Sequence, residues 1–152
     1  MDRQLVVFEL AGEYYAVDIH RVESIIKMQE ITSVPHAPEF VDGVINLRGE
    51  VLPVVDLRCR FGLDSIEDTK DTRIVVVAID SMKVGMVVDG VSEVLNVNTD
   101  EIEPPSPMVT TVDSGFIEGI AKQEKRLVIL VDLAKLLSIQ ETKELKAMPA
   151  QS

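Results

Sequence analysis

The stretch from Phe40 to Phe61, FVDGVINLRGEVLPVVDLRCRF, returns near the C-terminus as Phe116 to Leu137, FIEGIAKQEKRLVILVDLAKLL. Phe40 meets Phe116, Gly43 meets Gly119, Val55 meets Val131, Asp56 meets Asp132 and Leu57 meets Leu133, at a constant offset, since 116 − 40 and 133 − 57 both give 76. The repeat reaches back to the start of the chain. Val6 aligns with Val75, Leu10 with Ile79, Ala16 with Gly85, Ile19 with Val88, Val22 with Val91 and Ile25 with Val94, each pair 69 apart. The offset grows between the two blocks because seven extra residues fall around Pro104-Pro105-Ser106-Pro107. Aliphatic positions and some polar ones persist while loop length varies, which is the pattern of a duplicated structural unit. The frames differ in their centres: Asn46-Leu47-Arg48-Gly49 in the first stands against Lys122-Gln123-Glu124-Lys125 in the second. A shared frame reads as structure, and the differing centre as the place where one copy acquired a task.

A chain of 152 residues holds one ordinary domain, or two very small units that must share an interface to bury enough surface. Hydrophobic residues make up 46% and aromatics only 4%, with no Trp, so the core is built from Val, Ile and Leu, and β-branched residues on this scale favour strands. Leu5–Leu10 and Tyr14–Ile19 read as a hairpin around Ala11-Gly12-Glu13. Asp18 is placed to cap a single helical turn that runs into a further strand. Val44–Leu47 and Val51–Val55 form a second hairpin around Arg48-Gly49-Glu50, where glycine supplies a positive φ. A short helical piece follows at Leu57–Phe61, and the polar run Asp64–Thr72 marks the boundary between the copies. The expected fold is all-β with short helices: two pseudo-repeated, five-stranded small barrels, about 5–68 and 73–139, packed on a hydrophobic seam. Whether they exchange strands is open. Residues 140–152 form a polar tail.

The charge count, 15 basic against 26 acidic, gives −11, and such a surface repels phosphate backbones and anionic lipid. Nucleic acid and direct membrane insertion are therefore not expected. The single Cys59 excludes an internal disulfide, and the longest aliphatic run is too short to span a bilayer, so the expected setting is cytoplasmic. Catalytic groups are sparse. His20 and His36 stand in no metal-ligand spacing with each other or with Cys59, and no phosphate-binding glycine motif occurs, so neither an enzyme nor a cofactor or metal site is expected. Asp56 and Asp132 repeat at matching positions, which suits capping of the following turn better than catalysis. Val22, Ile25, Val91 and Val94 are apolar at equivalent places; they either seal the junction of the halves or line a groove for a helical partner. Arg48, at a hairpin tip and absent from the second copy, can reach carboxylates or carbonyl oxygens of a partner.

The segments Tyr15-Ala16-Val17-Asp18-Ile19, Gly43-Val44-Ile45-Asn46-Leu47-Arg48-Gly49, Val54-Val55-Asp56-Leu57 and Val87-Val88-Asp89-Gly90-Val91 with Val94-Leu95 resemble the CheW family, the coupling proteins of bacterial chemotaxis. The similarity covers nearly the whole chain. It implies two SH3-like barrels and a non-enzymatic scaffold. It also implies partners: the cytoplasmic hairpin of chemoreceptors (methyl-accepting chemotaxis proteins) and the regulatory domain of the histidine kinase CheA. Carried over position by position, it assigns receptor contact to Val22, Ile25, Gly43 and Arg48, with Val91 a neighbour across the seam. Family members often have an acidic residue where this chain has Ser24. The kinase-contact residues stay unassigned. The same fold coupling receptors to a different kinase, and a small-molecule-binding or hydrolytic barrel using His20, His36 or Cys59, are the alternatives.

Overall fold

A computed structural model of the chain describes residues 2–35, 41–57, 69–79, 82–104, 117–123 and 126–133. The first half supplies β1 (Asp2–Leu10), β2 (Glu13–Asp18), β3 (Val22–Lys27), β4 (Val41–Leu47) and β5 (Glu50–Asp56). The second supplies β6 (Arg73–Ile79), β7 (Met82–Val88), β8 (Gly90–Asn98), the short β9 (Ile102–Glu103), β10 (Ile117–Gln123) and β11 (Arg126–Val131). Shifting β4 by 76 residues reproduces the limits of β10, and shifting β1 and β2 by 69 reproduces the end of β6 and the start of β7.

Irregularities repeat as well as strands. A bulge at Asp42, between Val41 and Gly43, has its counterpart at Glu118, and one at Glu23 has its counterpart at Ser92. Bulges bend a strand and strengthen its twist, which a short sheet needs in order to curl. Closure is also duplicated. Beyond β3 the chain bridges β4 through Thr32 and Val44, and beyond β8 the strand β9 pairs with β10 through Glu103 and Ile120. Thr32 and Glu103 are 71 apart, so the repeat offset has already begun to rise before the proline-rich loop.

The sheets do not divide where the halves do. One has the order β8-β1-β2-β11-β10-β9 and the other β3-β6-β7-β5-β4. Each SH3-like barrel therefore takes its first two strands from one half and the remainder from the other. The chain crosses between barrels twice, once after β2 and once after β7. The first crossing is a 3-10 turn, Ile19–Arg21, capped by the Asp18 carboxylate, which accepts the His20 N–H at 2.9 Å. The helical piece expected at Leu57–Phe61 has only Leu57 among the described residues, and the polar run before Thr69 and the tail 140–152 lie outside them.

Exchange leaves most strands apolar on both faces. Leu5, Val7, Ala16 and Leu130 point into one barrel, while Ile74, Val76, Leu52 and Val54 fill the other. The alternate residues meet in a shared seam, where Val6 and Val75, Leu10 and Ile79, Val41 and Ile117, Val55 and Val131, and Leu57 and Leu133 occur as equivalent pairs. Phe8 and Tyr15 stack at 6.2 Å within it. A fully buried Val or Leu contributes about 1.5–3 kcal/mol. Exposed ion pairs such as Lys83–Glu50 and Lys122–Glu103 contribute about 0–1 kcal/mol each. The seam, not surface charge, fixes how the barrels sit.

Candidate functional site

Val22 opens β3 and Val91 lies at the start of β8, each directly after a crossing between barrels. Both are partly buried and pack against the seam core at the junction of the barrels. Three residues further on the chain behaves differently. Ile25 is 42% exposed and Val94 56% exposed, although both are aliphatic and stand at equivalent positions of the repeat. Cross-strand partners share a sheet face. Ile25 is opposite Val75 and Val94 opposite Val6, both seam residues, so the two exposed side chains continue the seam-facing side beyond the point where it is covered.

Gly43 is buried in β4 beneath the Ile31–Thr32 segment, whose bridge to Val44 closes the barrel. A Cβ there would lie 2.2 Å from the Thr32 carbonyl oxygen and 2.9 Å from Ile31 Cγ2. Gly119 is confined in the same way by Ile102 and the Glu103 carbonyl, which accounts for the glycine in both copies. This position acts on its surroundings through the backbone rather than by presenting a side chain.

Arg48 occupies the β4–β5 turn with φ +54°, followed by Gly49 at +86°, while Leu47 pairs with Glu50. Two successive left-handed residues make the turn whose twist matches a hairpin, and Asn46 Oδ1 supports it by accepting the Gly49 N–H at 2.8 Å. A β-carbon in that conformation costs about 1–2 kcal/mol, and asparagine, aspartate or glycine normally fills it. Ala11 before Gly12 has the same geometry, so the strain is tolerated elsewhere; at Arg48 it holds an exposed cation at a tip.

Of the five positions, Val22, Ile25 and Val91 thus belong to the two crossings and the rim of the seam, Arg48 stands at a hairpin tip, and Gly43 lies under the closing segment. Sequence reasoning did not single out Arg3. Its guanidinium donates to Asp18 Oδ2 at 3.1 Å and to Glu118 Oε1 at 2.8 Å. The hydrogen bond to Glu118 is the main reason its pKa lies above the ordinary value, outweighing partial burial, with Asp18 adding to it. For Asp18, burial raises the pKa, but the His20 amide and Arg3 together outweigh it, leaving the carboxyl below its usual range. At the other end of the same sheet, Arg126 pairs with Glu93 and lies 4.4 Å above the Tyr14 ring.

His20 is exposed on the crossing turn; His36 and Cys59 lie outside the described residues. Among the described residues no group of three His, Cys, Asp or Glu side chains is arranged to hold a metal, and no helix is long and apolar enough to cross a membrane.

The family model described as a CheW-like domain matches residues 4–141. The chain is similar to the chemotaxis protein CheW of Bacillus subtilis, 38% identical over 149 residues covering 98% of this chain and 94% of the relative. It is similar also to chemotaxis protein CheW of Klebsiella aerogenes, 34% identical over 91% of this chain and 84% of that one. Among solved structures, the scaffolding protein TtCheW from Thermoanaerobacter tengcongensis superposes with a TM-score of 0.84 at 44% identity, covering 93% of this chain and 91% of its own.

Proposed function

The chain belongs to the CheW family, and on that footing we propose that it is a non-catalytic chemotaxis adaptor in the cytoplasm. It joins the cytoplasmic hairpin of a chemoreceptor to the regulatory domain of the histidine kinase CheA, so that kinase activity follows receptor state through contacts. The observation that carries the receptor half of this reading is the exposure of Ile25 on the face that Val22 closes against the seam. An aliphatic side chain continuing a packed apolar face into solvent suits the apolar stripe of a helical hairpin. Arg48 supplies the polar contact, since an exposed guanidinium on a tight turn can form a fork with a carboxylate or with carbonyl oxygens. Val91 supports the crossing on the other side, and Gly43 leaves room for the Thr32 bridge.

Titrating a receptor cytoplasmic fragment into the wild-type chain and into Arg48→Ala tests this. The variant is expected to weaken receptor binding while leaving stability within about 0.5 kcal/mol of wild type, as is usual for exposed substitutions. Unchanged receptor affinity removes Arg48 from the surface, and unfolding of the variant makes Arg48 structural instead.

A further inference from the structure

The chain reaches Val22 and Ile25 through the crossing after β2, so the geometry of Ile19–Arg21, together with the pairing of β3 with β6, bears on where they stand. Asp18 is engaged twice there. One carboxylate oxygen accepts the His20 N–H at 2.9 Å and closes the turn, and the other accepts from Arg3 at 3.1 Å. The second arm of the Arg3 guanidinium reaches Glu118, the bulge residue of β10, at 2.8 Å. One planar cation thus ties the start of β1, the end of β2 and the bulge of β10 to the turn that leaves their sheet. Its side chain is only 24% exposed, which limits screening, and the guanidinium fork suits two carboxylates better than a lysine does.

The duplicated fold does not need this arrangement. Shifted by 69 residues, Arg3 falls on Thr72 and Asp18 on Val87, so the second half has neither member of the pair. The second crossing is held by other means: Asp89 donates its N–H to the Glu9 carbonyl at 2.9 Å and accepts the Ala11 N–H at 2.7 Å. A pair whose positions carry threonine and valine in the other copy, standing at the turn that leads to Ile25, reads as fitted to this copy's task.

Resting on the receptor-docking reading above, we infer that Arg3 is a positioning residue for receptor recognition: acting through Asp18, it sets where Val22 and Ile25 stand. The test measures affinity of the full chain for a receptor cytoplasmic fragment and, separately, for the kinase regulatory domain, with thermal stability followed in parallel. The variants are Arg3→Gln, Arg3→Lys, Asp18→Asn and the double variant Arg3→Gln/Asp18→Asn; the asparagine keeps an acceptor for the His20 N–H. Arg3→Gln is expected to weaken receptor binding about fivefold with kinase binding unchanged, and the double variant to be no weaker, because the Asp18 change removes a contact that Arg3→Gln has already broken. Arg3→Lys is expected to retain part of the affinity. Wild-type receptor affinity in Arg3→Gln overturns the inference, as do a parallel loss of receptor and kinase binding or additive effects in the double variant. Failure of the wild-type chain to bind the receptor fragment instead overturns the adaptor reading, and needs no variant to detect.

Discussion

Replacing Gly43 by alanine tests how tightly the first barrel is closed. The added Cβ would meet the Thr32 carbonyl oxygen at 2.2 Å, the Thr32 carbonyl carbon at 2.8 Å and Ile31 Cγ2 at 2.9 Å. Two of these atoms are backbone, so no rotamer change relieves the overlap and the Ile31–Thr32 segment must move, while Gly43's own φ of +155°, which side chains rarely adopt, adds strain. Thr32 and Val44 exchange two hydrogen bonds, each 2.9 Å long, across that contact. Parting them forfeits about 1 kcal/mol net per bond. Overpacking adds about 1–3 kcal/mol, and Ile31, which packs against the core of that barrel, shifts with the segment. The sum is a destabilisation of about 3 kcal/mol or more, equivalent to a fall of roughly 6–12 °C in Tm for a chain of this size. Denaturant unfolding at unchanged m-value gives the number directly. Two glycines calibrate it. At Gly119 the nearest atom is the Ile102 methyl at 2.5 Å and the backbone oxygen lies at 2.8 Å, so alanine there is expected to be milder. Gly49 has nothing within 4 Å but a φ of +86°, so alanine there carries only the conformational cost of about 1–2 kcal/mol. A Gly43→Ala chain within about 1 kcal/mol of wild type, or more stable than Gly49→Ala, refutes the steric reasoning.

Ile25→Asp is expected to fold normally, because the side chain is already 42% exposed, yet to lose most receptor affinity; circular dichroism and a receptor-fragment titration read the two effects separately, and retained affinity removes Ile25 from the surface. Asp18 links stability to acid. Its folded pKa is depressed, so its contribution is fully present above the unfolded value of about 4 and is lost as pH falls through the folded value. The stability gap between wild type and Asp18→Asn should accordingly shrink as denaturation is repeated from neutral pH down to about pH 3, and a pH-independent gap contradicts the ion pair as its source.

The strands, the two hairpins and the capped turn after Asp18 were legible because alternating aliphatics, glycine at tight turns and a constant repeat offset all pointed the same way. The pairing of strands was not. Segments such as LVVFEL and RIVVVAI are apolar on both faces, so neither face marks which neighbour it meets, and only the assembled sheets reveal the exchange between halves. The same ambiguity left Val22 and Val91 between seal and groove. Both are partly buried against the seam, whereas Ile25 and Val94 emerge into solvent. Gly43 and Gly119 were visible as a shared constraint, but the closing segment that imposes it was not, since Thr32 and Glu103 carry no repeated side chain. Arg3 had no signature: its carboxylate partners lie 15 and 115 residues away, and its counterpart in the repeat is a threonine.

The most direct measurement is co-sedimentation of the purified chain with a receptor cytoplasmic fragment and the kinase regulatory domain, each alone and then together. An adaptor binds each partner by itself and carries both into one complex, with the receptor arm weakened by Arg48→Ala. Binding to neither partner, or displacement of one by the other, contradicts a scaffold that holds both at once.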